Sequence, residues 1–289
     1  MPGFDYLEPT TLEEACAALT EHGDAARPIA GGTALLIWMR QRLLNPKVVI
    51  SLAKIAGFET IRFAATTGLT ISAGARHREI ELEAAVRRHY PILHETFHKV
   101  AQPRIRNMAT IGGNLCQGDP LTDPGATLIA LDATVRLQST HGERTLSLEE
   151  FFVDYYETAL HPGELLTEIH VPLPQPGLRW AHIKFTPRSV EDFATVGVAL
   201  TITCEDGVCK DLRIALNAAG PKIFRARSAE AVLRGQKISD DLIQQAARAA
   251  AHQADPIDDS RGSADYKREM VHVLVRRAAA QALAGALSQ

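Results

Sequence analysis

The chain has 289 residues, 46% of them hydrophobic and 22% charged, with a formal net charge of −3. That is enough to bury cores in two or three domains of roughly 100–150 residues. The balance excludes a nucleic-acid surface built on basic excess, and no apolar run reaches the roughly 18–20 residues a membrane span needs.

The N-terminus, Met1 to Tyr6, has neither a basic segment nor an apolar one, which predicts a cytoplasmic protein. Thr10 and Thr11 stand at capping-box spacing from Glu13 and Glu14 and open a helix that ends near Gly23. A buried strand from Pro28 to Ala30 leads through Gly31-Gly32 into a helix from Thr33 to Leu44. Val48–Leu52 is a second strand, and this βαβ-like unit closes near Gly57. Ile61–Phe63 and Leu69–Ala73 then read as strands, followed by helices at 77–89 and 91–101. Beyond a second double glycine come a helix from Pro124 to Leu131 and strands at 134–138 and 166–171. Helices inserted into an antiparallel-looking strand set predict an α+β arrangement.

Pro172, Pro174, Pro176 and Gly177 mark a linker. Past it lie a strand at 180–185 and a hairpin, 193–204 with 208–217, signalled by Asp206-Gly207. Helices at 228–233, 240–252 and 264–287 close the chain. The last interleaves Met270, Val271, Leu274 and Val275 with Lys267, Arg268, Arg276 and Arg277, as a helix lying on a sheet does.

Two stretches carry the chemistry. Ala109-Thr110-Ile111-Gly112-Gly113-Asn114 runs on through Cys116 to Asp119 and Asp123, and Ala30-Gly31-Gly32-Thr33-Ala34-Leu35 resembles it. Glycine lets the main chain approach another molecule without a Cβ in the way. Successive glycine N–H groups can form a concavity for phosphate oxygens, and Thr110 and Asn114 can donate to the same oxygens. One such loop alone reads better as a plain strand-to-helix turn. Two of them predict a diphosphate gripped from both sides.

Other chemistries fare worse. His94-Glu95-x-x-His98 spells the zinc-peptidase helix pattern. Pro103 follows soon after and no glutamate appears until Glu143, so an amphipathic helix with incidental histidines is preferred. There is no Rossmann fingerprint, P-loop or nucleophile elbow. The cysteines, Cys16, Cys116, Cys204 and Cys209, contain no Cys-x-x-Cys, so reduced, mostly buried thiols and no iron–sulfur centre are expected here. A phosphate cradle without acid–base apparatus suits a protein whose cofactor supplies the reactivity. No catalytic side chain and no metal ligand is assigned.

The ordered set of motifs is similar to the FAD-binding medium subunits of the molybdenum hydroxylases, the family of aerobic carbon monoxide dehydrogenase and xanthine dehydrogenase. It runs from Phe4–Ala15 and Ala30–Thr33 through Arg106–Asn114 and Glu164–Ile169 to Asp192-Phe193-Ala194 and Arg261–Lys267. The resemblance implies a two-subdomain FAD-binding domain of the vanillyl-alcohol-oxidase (PCMH) type, residues 1–57 and 58–177. A C-terminal α+β domain with a small antiparallel sheet and helices, 178–289, follows. It implies FAD on the loops Ala30, Gly31, Gly32, Thr33, Ala34, Leu35 and Thr110, Ile111, Gly112, Gly113, Asn114, with Asp123, Leu166 and Lys184 also at the cofactor. Asp123 could instead cap a helix, but its place just past the loop favours the cofactor; by themselves Leu166 reads as a core residue and Lys184 as a solvent-facing lysine, and these two rest on the resemblance alone.

The implied partners are a molybdopterin-binding large subunit and a [2Fe–2S] small subunit, in a dimer of heterotrimers, with electrons passing from the clusters through FAD to a terminal acceptor. Gln117-Gly118 and Gly31-Gly32-Thr33-Ala34 depart from the commoner carbon monoxide dehydrogenase wording. Carbon monoxide, purines, aldehydes and N-heterocycles therefore all stay open as substrates of the complex. The cysteine-bearing [4Fe–4S] insertion of hydroxybenzoyl-CoA reductases is absent. A zinc-dependent peptidase and a flavin-free assembly subunit stand as the alternatives.

Overall fold

A computed structural model describes residues 3–285. Strands β1 (Asp5–Leu7), β2 (Ala26–Ile29) and β3 (Val48–Ser51) form a parallel sheet with β3 in the middle. Helix α1 (Leu12–His22) begins as its spacing predicts: the Thr11 hydroxyl accepts from the Glu14 amide, and the Thr10 amide donates to the Glu14 carboxylate at 2.7 Å. It buries Ala15, Cys16 and Leu19. Helix α2 (Leu35–Arg40) is shorter than the expected 33–44, because Arg42 takes the left-handed backbone (φ 63°) and stops it. β1 was not foreseen; three residues are too few to show a period.

Strands β4 (Ile61–Ala64) and β5 (Gly68–Ser72) open the second unit. Next come α3 (His77–Leu82), α4 (Ala84–His89), α5 (Pro91–Lys99), α6 (Pro103–Arg106), α7 (Ile111–Cys116) and α8 (Asp123–Ala130). The single helix expected over 77–89 is two. Glu83 leaves the helical region (φ −60°, ψ 125°), and its carboxylate accepts from the Ala85 amide to start the second. An acidic side chain that competes for backbone donors favours such a break. β6 (Thr134–Ser139), β7 (Gly142–Ser147), α9 (Leu148–Phe151), β8 (Phe152–Asp154), β9 (Glu157–Thr158) and β10 (Leu165–Val171) complete the unit. Its main sheet, ordered β4-β5-β10-β6-β7, is antiparallel throughout.

The last unit has β11 (Arg179–Phe185), β12 (Val196–Glu205), β13 (Val208–Asn217) and β14 (Phe224–Arg225) in an antiparallel sheet of that order. Asp206 and Gly207 both have positive φ, 52° and 79°, the two-residue hairpin turn their dipeptide signals. Helices α10 (Arg227–Leu233), α11 (Asp240–Gln253) and α12 (Ala264–Ala284) follow. The expected end of α12 at Leu287 lies outside the described residues. β12 is buried from Val196 to Thr203 because both faces are covered. Val198, Leu200 and Ile202 share a core with α11 and α12. On the opposite face, the Thr201 hydroxyl donates to the carbonyl of Ala130 in α8 at 2.9 Å. Every residue of α8 is buried. No helix among the described residues is long and apolar enough to cross a membrane.

Candidate cofactor site

The two glycine loops face one cleft of about 360 Å³. The first leaves β2 and enters α2. Among the described residues, the amides of Gly31, Gly32, Thr33, Ala34 and Leu35 donate to no protein acceptor. Gly32 has φ +69°, a conformation that turns adjacent amides toward one side. A Cβ on Gly31 would overlap the carbonyl of Met108, so this glycine is what lets the loops touch. The result is a run of uncommitted donors on one wall of a cleft, a fit for an anionic diphosphate.

The second loop works differently from the expectation. Its amides are already engaged: Ile111 donates to the Ala75 carbonyl at 2.9 Å, Gly112 to Ala73 at 2.8 Å and Asn114 to Thr110 at 3.0 Å. The Gly113 amide donates to the Thr110 hydroxyl oxygen at 3.2 Å, which makes Thr110 the N-cap of α7. What the loop presents to the cleft is therefore side chains and a bare backbone surface. The Thr110 hydroxyl keeps a proton to donate, and the buried Asn114 Oδ1 has no partner in the protein. A Cβ on Gly112 would lie 2.6 Å from that of Ala73, whereas Gly113 would meet only the Thr110 oxygen, at 3.0 Å. Gly112 seats the loop; Gly113 faces the cleft.

Ala30, Gly31, Gly32, Thr33, Ala34, Leu35, Thr110, Gly112, Gly113, Asn114 and Leu166 all line this cleft. Ile111 is fully buried behind it. Asp123 and Lys184 are outside its lining and form an ion pair of 2.9 Å, both nearly inaccessible, where α8 meets β11. Lys184 also donates to the Lys99 carbonyl at 2.8 Å, and Asn217 donates to Asp123. Burial pushes the Asp123 carboxyl above its ordinary range, against the pull of Lys184. The solvent-facing reading of Lys184 is thereby corrected: β11 is covered on the face that carries it. Asp123 opens α8 without capping it.

Sequence reasoning missed Trp38 and Tyr156, which meet edge to face at the cleft with ring centroids 5.6 Å apart. Trp38 lies one helical turn past Leu35, a spacing that could have placed it there. Tyr156 gave no signal, since it sits in an irregular turn with φ 55°, held by its amide donating to the Gly118 carbonyl at 3.0 Å. Burial pushes the Cys116 thiol up to about 12, and the Glu164 carboxylate is clamped by Arg144 at 2.7 Å.

The His-Glu-x-x-His stretch does another job. His94 Nδ1 contacts the Glu81 carbonyl at 2.8 Å, His98 Nδ1 the Glu81 carboxylate at 2.9 Å, and Glu95 pairs with Lys99. Among the described residues no group of three or more His, Cys, Asp or Glu is placed to hold a metal ion. Glu81 is itself the hub, buried against Arg106 at 3.0 Å, and Arg106 in turn donates to the Val100 and Ala101 carbonyls. That network anchors α6 just ahead of the second loop.

The chain matches two family profiles: the FAD binding domain in molybdopterin dehydrogenase over residues 2–174, and the CO dehydrogenase flavoprotein C-terminal domain over residues 181–282. It is 34% identical to the 6-hydroxypseudooxynicotine dehydrogenase complex subunit alpha of Paenarthrobacter nicotinovorans, covering 98% of this chain and 95% of that one. It is also 34% identical to the carbon monoxide dehydrogenase medium chain of Afipia carboxidovorans, over 99% of each chain. A solved structure of carbon monoxide dehydrogenase from Hydrogenophaga pseudoflava superposes with a TM-score of 0.95 at 36% identity and 98% coverage of both chains.

Fold, matched domains and cleft together define an FAD-binding flavoprotein subunit of an oxidoreductase. The chain belongs to the family of FAD-binding medium subunits of molybdenum hydroxylases, with an FAD-binding domain followed by a C-terminal flavoprotein domain.

Proposed function

We propose that this chain is the electron-transfer subunit of a molybdenum-containing hydroxylase or dehydrogenase. It takes electrons from [2Fe–2S] clusters of a small partner subunit and hands them to a terminal acceptor, while a molybdopterin-binding large subunit oxidises the substrate. The assembly is a dimer of heterotrimers. The cytoplasm is its compartment, a reading that its four free cysteines suit. Three units carry it: 1–57 and 58–177 around the cofactor, and 178–289 beside them.

The observation that carries this reading is the run of uncommitted amides from Gly31 to Leu35 facing the second glycine loop. Those amides would hold the diphosphate of FAD, with Ala30 shaping the turn. Thr110 and Asn114 would hydrogen-bond the cofactor from the opposite wall, and Gly112 and Gly113 would let the backbone come close. Ile111 would brace that loop from the core. Leu166 would pack on the cofactor, and the Asp123–Lys184 pair would fix the wall between α8 and β11. FAD supplies the electron-accepting and electron-donating chemistry; the chain's part is to bind, orient and shield it.

The test is an absorption spectrum of the purified chain, with denaturation and chromatography of what is released. Flavin bands and free FAD are expected, and Gly113→Val abolishes them while leaving a folded protein. A folded wild-type chain that is colourless and takes up no FAD, alone or with its partner subunits, overturns the reading. Full flavin retention in Gly113→Val overturns the two-loop cradle.

A further inference from the structure

Two of the four cysteines are brought face to face by the β12–β13 hairpin, far along the chain from either glycine loop. Cys204 and Cys209 are direct register partners. The turn between them is Asp206-Gly207, with Glu205 opposite Val208. In such a two-residue hairpin the pair beside the turn exchanges hydrogen bonds, and the next pair outward does not. The backbone of Cys209 confirms the alternation. Its amide donates to the Gln236 carbonyl at 2.9 Å and its carbonyl accepts from the Gly235 amide at 2.8 Å, so both its polar groups point away from Cys204.

Cys204 and Cys209 thus form a non-hydrogen-bonded antiparallel pair, the closer kind, with Cα atoms roughly 4.5 Å apart. A disulfide spans Cα separations of roughly 4.4–6.8 Å, a range that includes such a pair, and the bulge between Thr203 and Cys204 lies on the side away from the turn. Both side chains face the core shared with α10, α11 and α12, Cys209 buried and Cys204 at its margin.

We infer that Cys204 and Cys209 are a reversible dithiol–disulfide site, closed by a peroxide and opened by a thiol reductant. The step balances as follows. The Cys204 sulfur, the more accessible of the two, attacks hydrogen peroxide; an S–O bond forms, the O–O bond breaks, and the departing hydroxide takes up a proton as water. The Cys209 sulfur then attacks the Cys204 sulfur, the S–S bond forms, the S–O bond breaks, and a second water leaves with the Cys209 proton. Two thiols are oxidised and one peroxide becomes two waters.

Burial raises both thiols, Cys209 to about 11, and the positive charge of Arg179 opposes this at Cys204. That ordering supports Cys204 as the attacking thiol and makes closure faster as pH rises. The bond ties β12 to β13 at the hairpin tip, where Val208 also bridges to Lys237. It is independent of flavin binding. Cys16, whose thiol donates to the Gln138 carbonyl at 3.4 Å, and Cys116 have no cysteine across a strand and serve as internal references.

The test treats the full folded chain with hydrogen peroxide, blocks remaining thiols by alkylation, and maps tryptic peptides by mass. Residues 189–210 contain both cysteines and no internal lysine or arginine. The expected result is this peptide unalkylated and lighter by two hydrogen atoms, restored to two alkylated cysteines by dithiothreitol, with closure accelerating from pH 7 to 9. Cys204→Ser, checked for native circular dichroism, yields no closed peptide. Two alkylated thiols after treatment, a Cys204 sulfinic acid without the bridge, or a bridge only between separate chains overturns the inference.

Discussion

Gly31 lies against the carbonyl of Met108 so closely that no Cβ fits between them. The contact fixes the spacing of the two loops around the cleft. Gly31→Ala is expected to force them apart and reduce bound FAD at least tenfold, read as the ratio of flavin to protein absorbance. Gly57→Ala, where a Cβ would meet nothing, leaves that ratio unchanged, although its φ of +74° costs some stability.

Thr110 caps α7 by accepting from the Gly113 amide. Thr110→Ala removes the cap and is expected to cost about 1 kcal/mol, seen as a lower thermal midpoint in the apoprotein. It also weakens FAD binding. Thr110→Ser retains both, because serine keeps the oxygen and its proton.

Trp38 lines the cleft, whereas Trp180 packs at the margin of the main core. FAD titrated into the apoprotein is expected to quench tryptophan emission. Trp38→Phe removes most of that quench, and Trp180→Phe leaves most of it. The reverse pattern would place the cofactor elsewhere.

Glu81 and Arg106 are buried together at 3.0 Å. Glu81→Gln leaves the guanidinium buried without a full counter-charge, a loss on the order of 3–5 kcal/mol. Burial acts to raise the Glu81 carboxyl, but His98, Arg78 and Arg106 outweigh it and hold it below the ordinary range. A lowered folded-state value means the stabilisation is present above the unfolded value and is lost as pH falls through the folded one. The difference in unfolding free energy between wild type and Glu81→Gln therefore shrinks as the solution is acidified below about pH 4.5.

His77 and His182 are buried with both ring nitrogens unpartnered. Burial, aided by nearby positive charge, pulls them down to about 4 and about 3. The unfolded chain takes up these protons near pH 6.5, so stability is full above that and declines as pH drops below it. Each residue accounts for about 3 kcal/mol by pH 4, following the linkage relation. His77→Phe, which keeps an aromatic ring against Phe97, is expected to flatten the decline in denaturant midpoint between pH 6.5 and 4.

Much of this protein is local and was therefore legible in the sequence. Thr11 and Glu14 signal a helix start, Asp206-Gly207 a hairpin, and the two double glycines a pair of backbone turns, which the fold brings to one cleft, because each is set by backbone sterics within a few residues. The order of those motifs along the chain sufficed to place it in its family. Other features arise only when distant segments meet. Strands of three residues such as β1 carry no period, and Glu83 divides a helix whose sequence looks continuous. Lys184 sits in a strand that reads as half-exposed until α5 packs on it and α8 supplies Asp123. The amides of the second loop read as phosphate donors in isolation, but Ala73 and Ala75 engage two of them across the fold, which leaves the first loop to present its own. Local conformation follows from neighbouring residues; which side of a strand is buried, and which donors stay uncommitted, follows from what packs against them.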